Sequence, residues 1–154
     1  MKQDLPPAVQ DVIAFYESLS PASLDTLGQL YAPDARFQDP FNDVSGLAAI
    51  RHIFAHMFTT VQQPRFKVLG AMAQGQEAWL RWDFSLQRQG TDLVIHGATR
   101  LVFDEAGRVT LHRDYWDPAQ ELYAKVPLLG TLVRWLTRRL SASHAQAATG
   151  PSHH

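Results

Sequence analysis

Cysteine is absent from this 154-residue chain, which excludes a disulfide framework, a thiolate zinc site and a thiol nucleophile. No apolar run approaches the roughly 18 residues that a membrane span needs. The opening Met1-Lys2-Gln3-Asp4-Leu5-Pro6-Pro7 has no apolar centre of the kind a signal peptide carries. A soluble, unexported, cytoplasmic protein is therefore expected. Charge imbalance is lacking too: 14 Lys and Arg against 15 Asp and Glu leave a formal net charge of -1, so no nucleic-acid partner is expected. Neither GxGxxG nor GxxxxGK[ST] occurs, which removes the usual phosphate cradles, and no internal repeat is found.

What is present is apolar and periodic. Hydrophobic residues make up 45% of the chain and charged residues 19%, the balance of one globular domain, expected over residues 1–140. Val9, Val12, Ile13, Tyr16 and Leu19 recur at helical spacing over residues 7–19. Ser20 and Pro21 then open a second helix carrying Leu24, Leu27, Leu30 and Tyr31. After a short strand and a loop at residues 42–46, Leu47, Ile50, Phe54, Met57, Phe58 and Val61 stripe a third helix that Pro64 bars from continuing.

From residue 65 the period changes to two, and four strands follow, with turns at residues 75–76, 89–92 and 104–107. A last helical region starts at Pro118 and includes a basic amphipathic stretch over residues 128–140. Its expected place is over the pocket mouth or against a partner, with contact to an anionic membrane surface as the alternative. Residues 141–154, rich in Ser, Ala, Gly and His, are expected to be disordered. Helices first and an antiparallel meander after them make an α+β pattern, with three helices in the N-terminal half on one face of a curved sheet and one C-terminal helix.

One stretch breaks the pattern: Tyr31-Ala32-Pro33-Asp34-Ala35-Arg36-Phe37-Gln38-Asp39-Pro40-Phe41. Ala35, Phe37 and Asp39 share one strand face, so a carboxylate stands where an apolar residue belongs. Either it caps the turn before Pro40, as Asp commonly does, or it is held at a site.

That run, with Phe103-Asp104-Glu105-Ala106-Gly107-Arg108-Val109 and the following Tyr115-Trp116, resembles the SnoaL-like and ketosteroid isomerase-like branch of the nuclear transport factor 2-like superfamily, over about residues 8–118. The resemblance implies a cone-shaped α+β fold enclosing a deep apolar pocket, commonly as a homodimer through the sheet. It also implies Asp39 as general base and Tyr16 as oxyanion donor. Thr99 stands where a second acid would be expected, and Phe54 where a supporting tyrosine would be. Leu80, Trp82, Leu101 and Trp116 fall with Phe54 on pocket-wall positions, and Trp82 would narrow the cavity.

On the last strand, His112, Asp114 and Trp116 share one parity, and Val109, Leu111, Arg113 and Tyr115 the other. If the first set faces inward, His112 and Asp114 join an acid–base set; a bulge would change the register. His96 is expected to face away from the pocket. His52 and His56, spaced i, i+4, suit a solvated helix face better than a metal site, since no Glu accompanies them. No cofactor or metal is implied. The expected function is proton abstraction next to a carbonyl in a small molecule, with a non-catalytic binder of a sterol, fatty acyl or polyketide-like ligand as the alternative.

Overall fold

The computed structural model describes residues 4–88 and 90–122. They fall in two units, one reaching Asp117 and the other starting at Pro118. Of the second unit only the segment carrying the short helix α4 (Pro118–Glu121) is described. The expected basic helix at 128–140 and the tail at 141–154 lie outside the described residues.

The first unit opens with α1 (Pro7–Glu17), which has proline at its first position, where the missing N–H costs nothing, and buries Val9, Val12, Phe15 and Tyr16. The second helix of the sequence reading is shorter than expected. It is a 3₁₀ turn, Ala22–Thr26, followed by the single turn α2 (Leu27–Leu30). Tyr31, expected at a helix end, instead begins β1 (Tyr31–Gln38) and is fully buried. The loop expected at residues 42–46 contains the strand β2 (Asp43–Ser45). Its register against β1 is held by Arg36, which donates to Asp43 through Nε (2.9 Å) and Nη2 (2.8 Å). Cross-strand pairing outranks the turn-like composition of that segment. Then α3 (Leu47–Thr60) buries Ile50 and Phe54, and leaves His52 and His56 exposed.

Four strands complete the unit: β3 (Gln62–Gln74), β4 (Glu77–Arg88), β5 (Thr91–Phe103) and β6 (Val109–Tyr115). The sheet is curved and unclosed, in the order β2-β1-β6-β5-β4-β3. Its pairs are antiparallel except β1 with β6, which run parallel. Leu80, Trp82, Phe84 and Leu86 of β4 and Leu93, Ile95, Leu101 and Phe103 of β5 are buried, and so are Ile50 and Phe54 of α3.

One irregularity in β6 decides the site. Phe103 pairs with Val109 but Val102 pairs with Leu111, so Thr110 is an extra residue in the strand. Such a bulge switches the alternation of side chains. Before it, Val109 is buried; after it, His112 is buried and Leu111 is only half-buried. Each of the two competing parities is thus correct on its own side of Thr110.

Candidate functional site

Tyr16 from α1, Tyr31 from β1, Thr99 from β5 and His112 and Asp114 from β6 meet in one hydrogen-bonded group on the inner face of the sheet. The adjacent strands explain the pairing, because Thr99 lies opposite Asp114 in the β5–β6 register. Asp114 Oδ1 accepts from Thr99 Oγ1 at 2.5 Å and from His112 Nε2 at 2.7 Å. Thr99 Oγ1 in turn accepts from the indole Nε1 of Trp82 at 2.7 Å.

On the other side of the imidazole, Nδ1 lies 2.8 Å from the Tyr31 hydroxyl and 3.1 Å from that of Tyr16, and the two hydroxyls are 2.5 Å apart. With Nε2 donating to Asp114, the Nδ1 of a neutral ring has one lone pair to offer. We assign it to Tyr31, the shorter contact, which leaves Tyr16 donating to the Tyr31 oxygen. Two donor chains then converge on one carboxylate oxygen: Trp82 through Thr99, and Tyr16 through Tyr31 and His112. None of these bonds uses Asp114 Oδ2.

Burial decides the protonation of the phenols. Desolvation pushes Tyr16 well above its ordinary value, and the nearby Tyr31 and Asp114 raise it further. Tyr31 is also raised, by desolvation above all, against the hydrogen bond from Tyr16, which lowers it. Both phenols therefore stay protonated, as donors, through the physiological range. His112 keeps 2% of its side-chain surface exposed and Asp114 17%. Phe37 stacks on the imidazole at 4.6 Å between ring centres, and Tyr16 lies 5.6 Å from it. Ring contacts and hydrogen bonds at both nitrogens fix the imidazole.

This group borders an internal cavity of about 30 Å³, whose walls are Tyr16, Phe54, Phe66, Val68, Leu80, Trp82, Thr99, His112 and Asp114. The expected wall positions Phe54, Leu80 and Trp82 are there. Leu101 is not: it lies fully buried in the β5–β6 ladder opposite His112. Trp116 lies elsewhere as well, edge-on to Phe41 at 5.6 Å, on an open groove of about 550 Å³ that also takes in Gln38, Asp39, Arg113 and Asp114. Asp114 borders both spaces. The deep pocket implied by the resemblance is closed down by aromatic rings, since Phe66 packs edge-on to Trp82 at 5.5 Å and stacks on Phe84 at 4.4 Å.

Asp39 stands apart from the cavity. Its Oδ1 accepts from the backbone N–H groups of Phe41 and Asn42, both at 2.7 Å, and Asn42 Nδ2 reaches Oδ1 at 3.1 Å and Oδ2 at 3.0 Å. This is the turn-capping geometry, on the rim of the groove. His96 faces outward, 2.6 Å from Asp83. Among the described residues no three His, Asp or Glu side chains converge as a metal centre would require, and no helix is long and apolar enough to cross a membrane. The sequence reading missed Tyr31, because its spacing from Leu27 and Leu30 continued a helical pattern. The alternation of Phe66 and Val68 on β3 was the available signal for those two wall residues.

A curved sheet with helices on one face, and polar groups gathered around a small inner cavity, defines an α+β pocket fold. The SnoaL-like domain model matches residues 12–112, and the chain belongs to the SnoaL-like family. Solved structures agree on the fold. An LEH-like epoxide hydrolase from M. tuberculosis is 22% identical, with 85% of this chain and 96% of that one covered and a TM-score of 0.65. A protein of ketosteroid isomerase-like fold from Catenulispora acidiphila, in complex with trimethylamine, is 19% identical over 78% and 92%, with a TM-score of 0.66. TerC, co-crystallised with polyporic acid, is 17% identical over 75% and 95%, also at 0.66. No curated protein matches the sequence.

Proposed function

We propose that this chain is a cofactor-independent enzyme that moves a proton on a small carbonyl compound, with Asp114 as the base. The observation that carries this reading is the division of labour within one carboxylate. Oδ1 is fixed by Thr99 and His112, and Oδ2 takes no bond from either, on a residue that borders both the inner cavity and the outer groove. A base held by one oxygen has a fixed direction and a free lone pair, which is what proton abstraction needs. In this reading Oδ2 takes the proton from the carbon beside the carbonyl, and the electron pair of the broken C–H bond moves onto the carbonyl oxygen. Tyr16 is the phenol on the cavity wall, and in this reading its one proton turns from the Tyr31 oxygen to the developing oxyanion. Where the substrate carries a β,γ double bond, the dienolate takes the proton back from Asp114 at the γ carbon as the electron pair leaves the oxygen, which completes an isomerisation. His112 and Tyr31 position the base and the donor.

The geometry favours Asp114 over Asp39, whose carboxylate is engaged by its own turn. It also favours an enzyme over a carrier. A cavity of about 30 Å³ has room for a water or a small group, whereas pockets for drug-sized ligands run to roughly 300–1,000 Å³. Ligand-bound neighbours of the same fold support a small-molecule role.

Deuterium exchange into small enolisable ketones, followed by NMR, tests the reading. Exchange should exceed that of buffer, and Asp114→Asn should slow it by about 10²–10⁴-fold. Exchange at the buffer rate across the panel would sink it. A homodimer through the outer sheet face is part of the same proposal. That face exposes Met72, Trp79 and Tyr115, the last two with rings 5.5 Å apart, and sedimentation at micromolar concentration tests it.

A further inference from the structure

Trp82 is large, 5% exposed, and lies across the neighbouring strand at the one position that makes room for it. In the β4–β5 register its partner is Gly97. A Cβ built on Gly97 would come within 2.9 Å of three carbons of the indole ring. That is closer than side chains approach one another, so the ring occupies the volume that any other residue at 97 would claim. Phe66 closes on the ring edge-on from β3. The indole thus fills the inner chamber down to its present size.

The same indole is the outermost donor of the chain that fixes Asp114. Its N–H holds the Thr99 oxygen at 2.7 Å, which turns the Thr99 hydroxyl proton toward Asp114 Oδ1 at 2.5 Å. A ligand large enough to push the ring aside would also break this bond. The Thr99 hydroxyl, relieved of its donor, would then be free to rotate.

We infer that Trp82 sets the size of substrate this site accepts and ties that limit to the alignment of Asp114. The substrates are small carbonyl compounds that reach in from the outer groove by an end about as wide as a methyl group. This rests on the reading of Asp114 as the base, but the size limit can be tested without it.

The test uses Trp82→Ala, Trp82→Phe and Gly97→Ala in the full chain, with 2-naphthol as the bulky probe and acetone as the small substrate. By calorimetry, Trp82→Ala should bind 2-naphthol at least about ten-fold more tightly than the unmodified protein. Gly97→Ala, which pushes the ring instead of removing it, should shift the Trp82 fluorescence. Trp82→Phe keeps part of the bulk and loses the N–H together with one ring. It should lower kcat for deuterium exchange into acetone by about ten-fold, with KM unchanged. It should also move the His112 Nε2–H NMR signal, because hydrogen bonds link Trp82 to that ring through Thr99 and Asp114.

Equal 2-naphthol affinity in the unmodified protein and in folded Trp82→Ala overturns the size limit. If Trp82→Ala does not fold, the same comparison is made with Trp82→Phe, for which a smaller gain is expected and no gain overturns the limit. An unmoved His112 signal in Trp82→Phe overturns the link to Asp114. A gain in 2-naphthol binding with no ketone turned over by any variant keeps the size limit and removes the reading of Asp114 as base.

Discussion

Two aspartates on this chain were candidates for the same work, and their surroundings separate them. Asp39 closes β1 by accepting four hydrogen bonds from the two residues that follow its turn, and these bonds reach both of its oxygens. Asp114 accepts from Thr99 on the neighbouring strand β5 and from His112 two residues back on β6, and keeps Oδ2 out of both bonds. A carboxylate saturated by local N–H groups shapes a loop; one held by a single oxygen at the end of a buried chain is ready to exchange a proton. The comparison teaches that a carboxylate at an inward strand position is not enough, because the number and origin of its donors decide its use.

The largest effect should come from breaking the register that brings Asp114 inward. Inserting one alanine between Leu111 and His112 keeps the bulge at Thr110 but adds a step to the alternation after it, so that His112 and Asp114 turn outward. Exchange activity should fall by no less than in Asp114→Asn, on the order of 10³-fold, and the His112 NMR signal should become that of an exposed ring. Retained activity would mean that the site does not depend on the register of β6 beyond Thr110, and the contrast between the two aspartates would lose its structural basis.

A second effect is on stability and belongs to the Asp114 side alone. Tyr16 and Tyr31 are raised above the ordinary phenol value of 10.0, mainly by burial. Below pH 10 both the folded and unfolded chains hold these protons, so the contribution of the two phenols is constant and fully present. Above that, the unfolded chain releases protons that the fold retains, and stability falls as pH rises through the folded values. Each phenol can contribute up to about 1.4 kcal/mol per pH unit there. Urea midpoints measured between roughly pH 9 and pH 11.5 should decline, and Tyr31→Phe should remove about half of the slope. Neither measurement should respond to Asp39.

Much of the fold was legible because periodicity is local. The helical stripe of Ile50 and Phe54 and the alternation on β4 and β5 are burial patterns, and burial imposes them directly on the sequence. The parallel pairing of β1 with β6 and the short β2 are long-range events that leave no local period. Tyr16, Thr99, His112 and Asp114 were legible as residues but not as a chain, since the bulge at Thr110 sits between two readings that are equally regular. Tyr31 was missed because a residue at the junction of a helical turn and a strand satisfies both periods. Asp39 was the reverse case: it stood out by breaking the apolar pattern, and the break reflects a strand that ends there.

The smallest effect is expected at the residue that looked most prominent. Asp39→Asn leaves a side-chain carbonyl that can still accept from the N–H groups of Phe41 and Asn42, and Asn is as suited to such a turn as Asp. Activity should change by less than about three-fold and stability by less than about 1 kcal/mol, whereas Asp39→Ala, which removes the acceptor, should cost about 1 kcal/mol by analogy with the loss of a helix cap. Exchange rates and urea midpoints on both variants check this. The pair of substitutions also sharpens the contrast. At a turn cap, Asn substitutes for Asp and Ala does not; at a base, Asn and Ala are both disabling, because neither accepts a proton at working pH. A loss of about 10²-fold or more in Asp39→Asn would reverse the assignment and return the proton-accepting role to the groove rim.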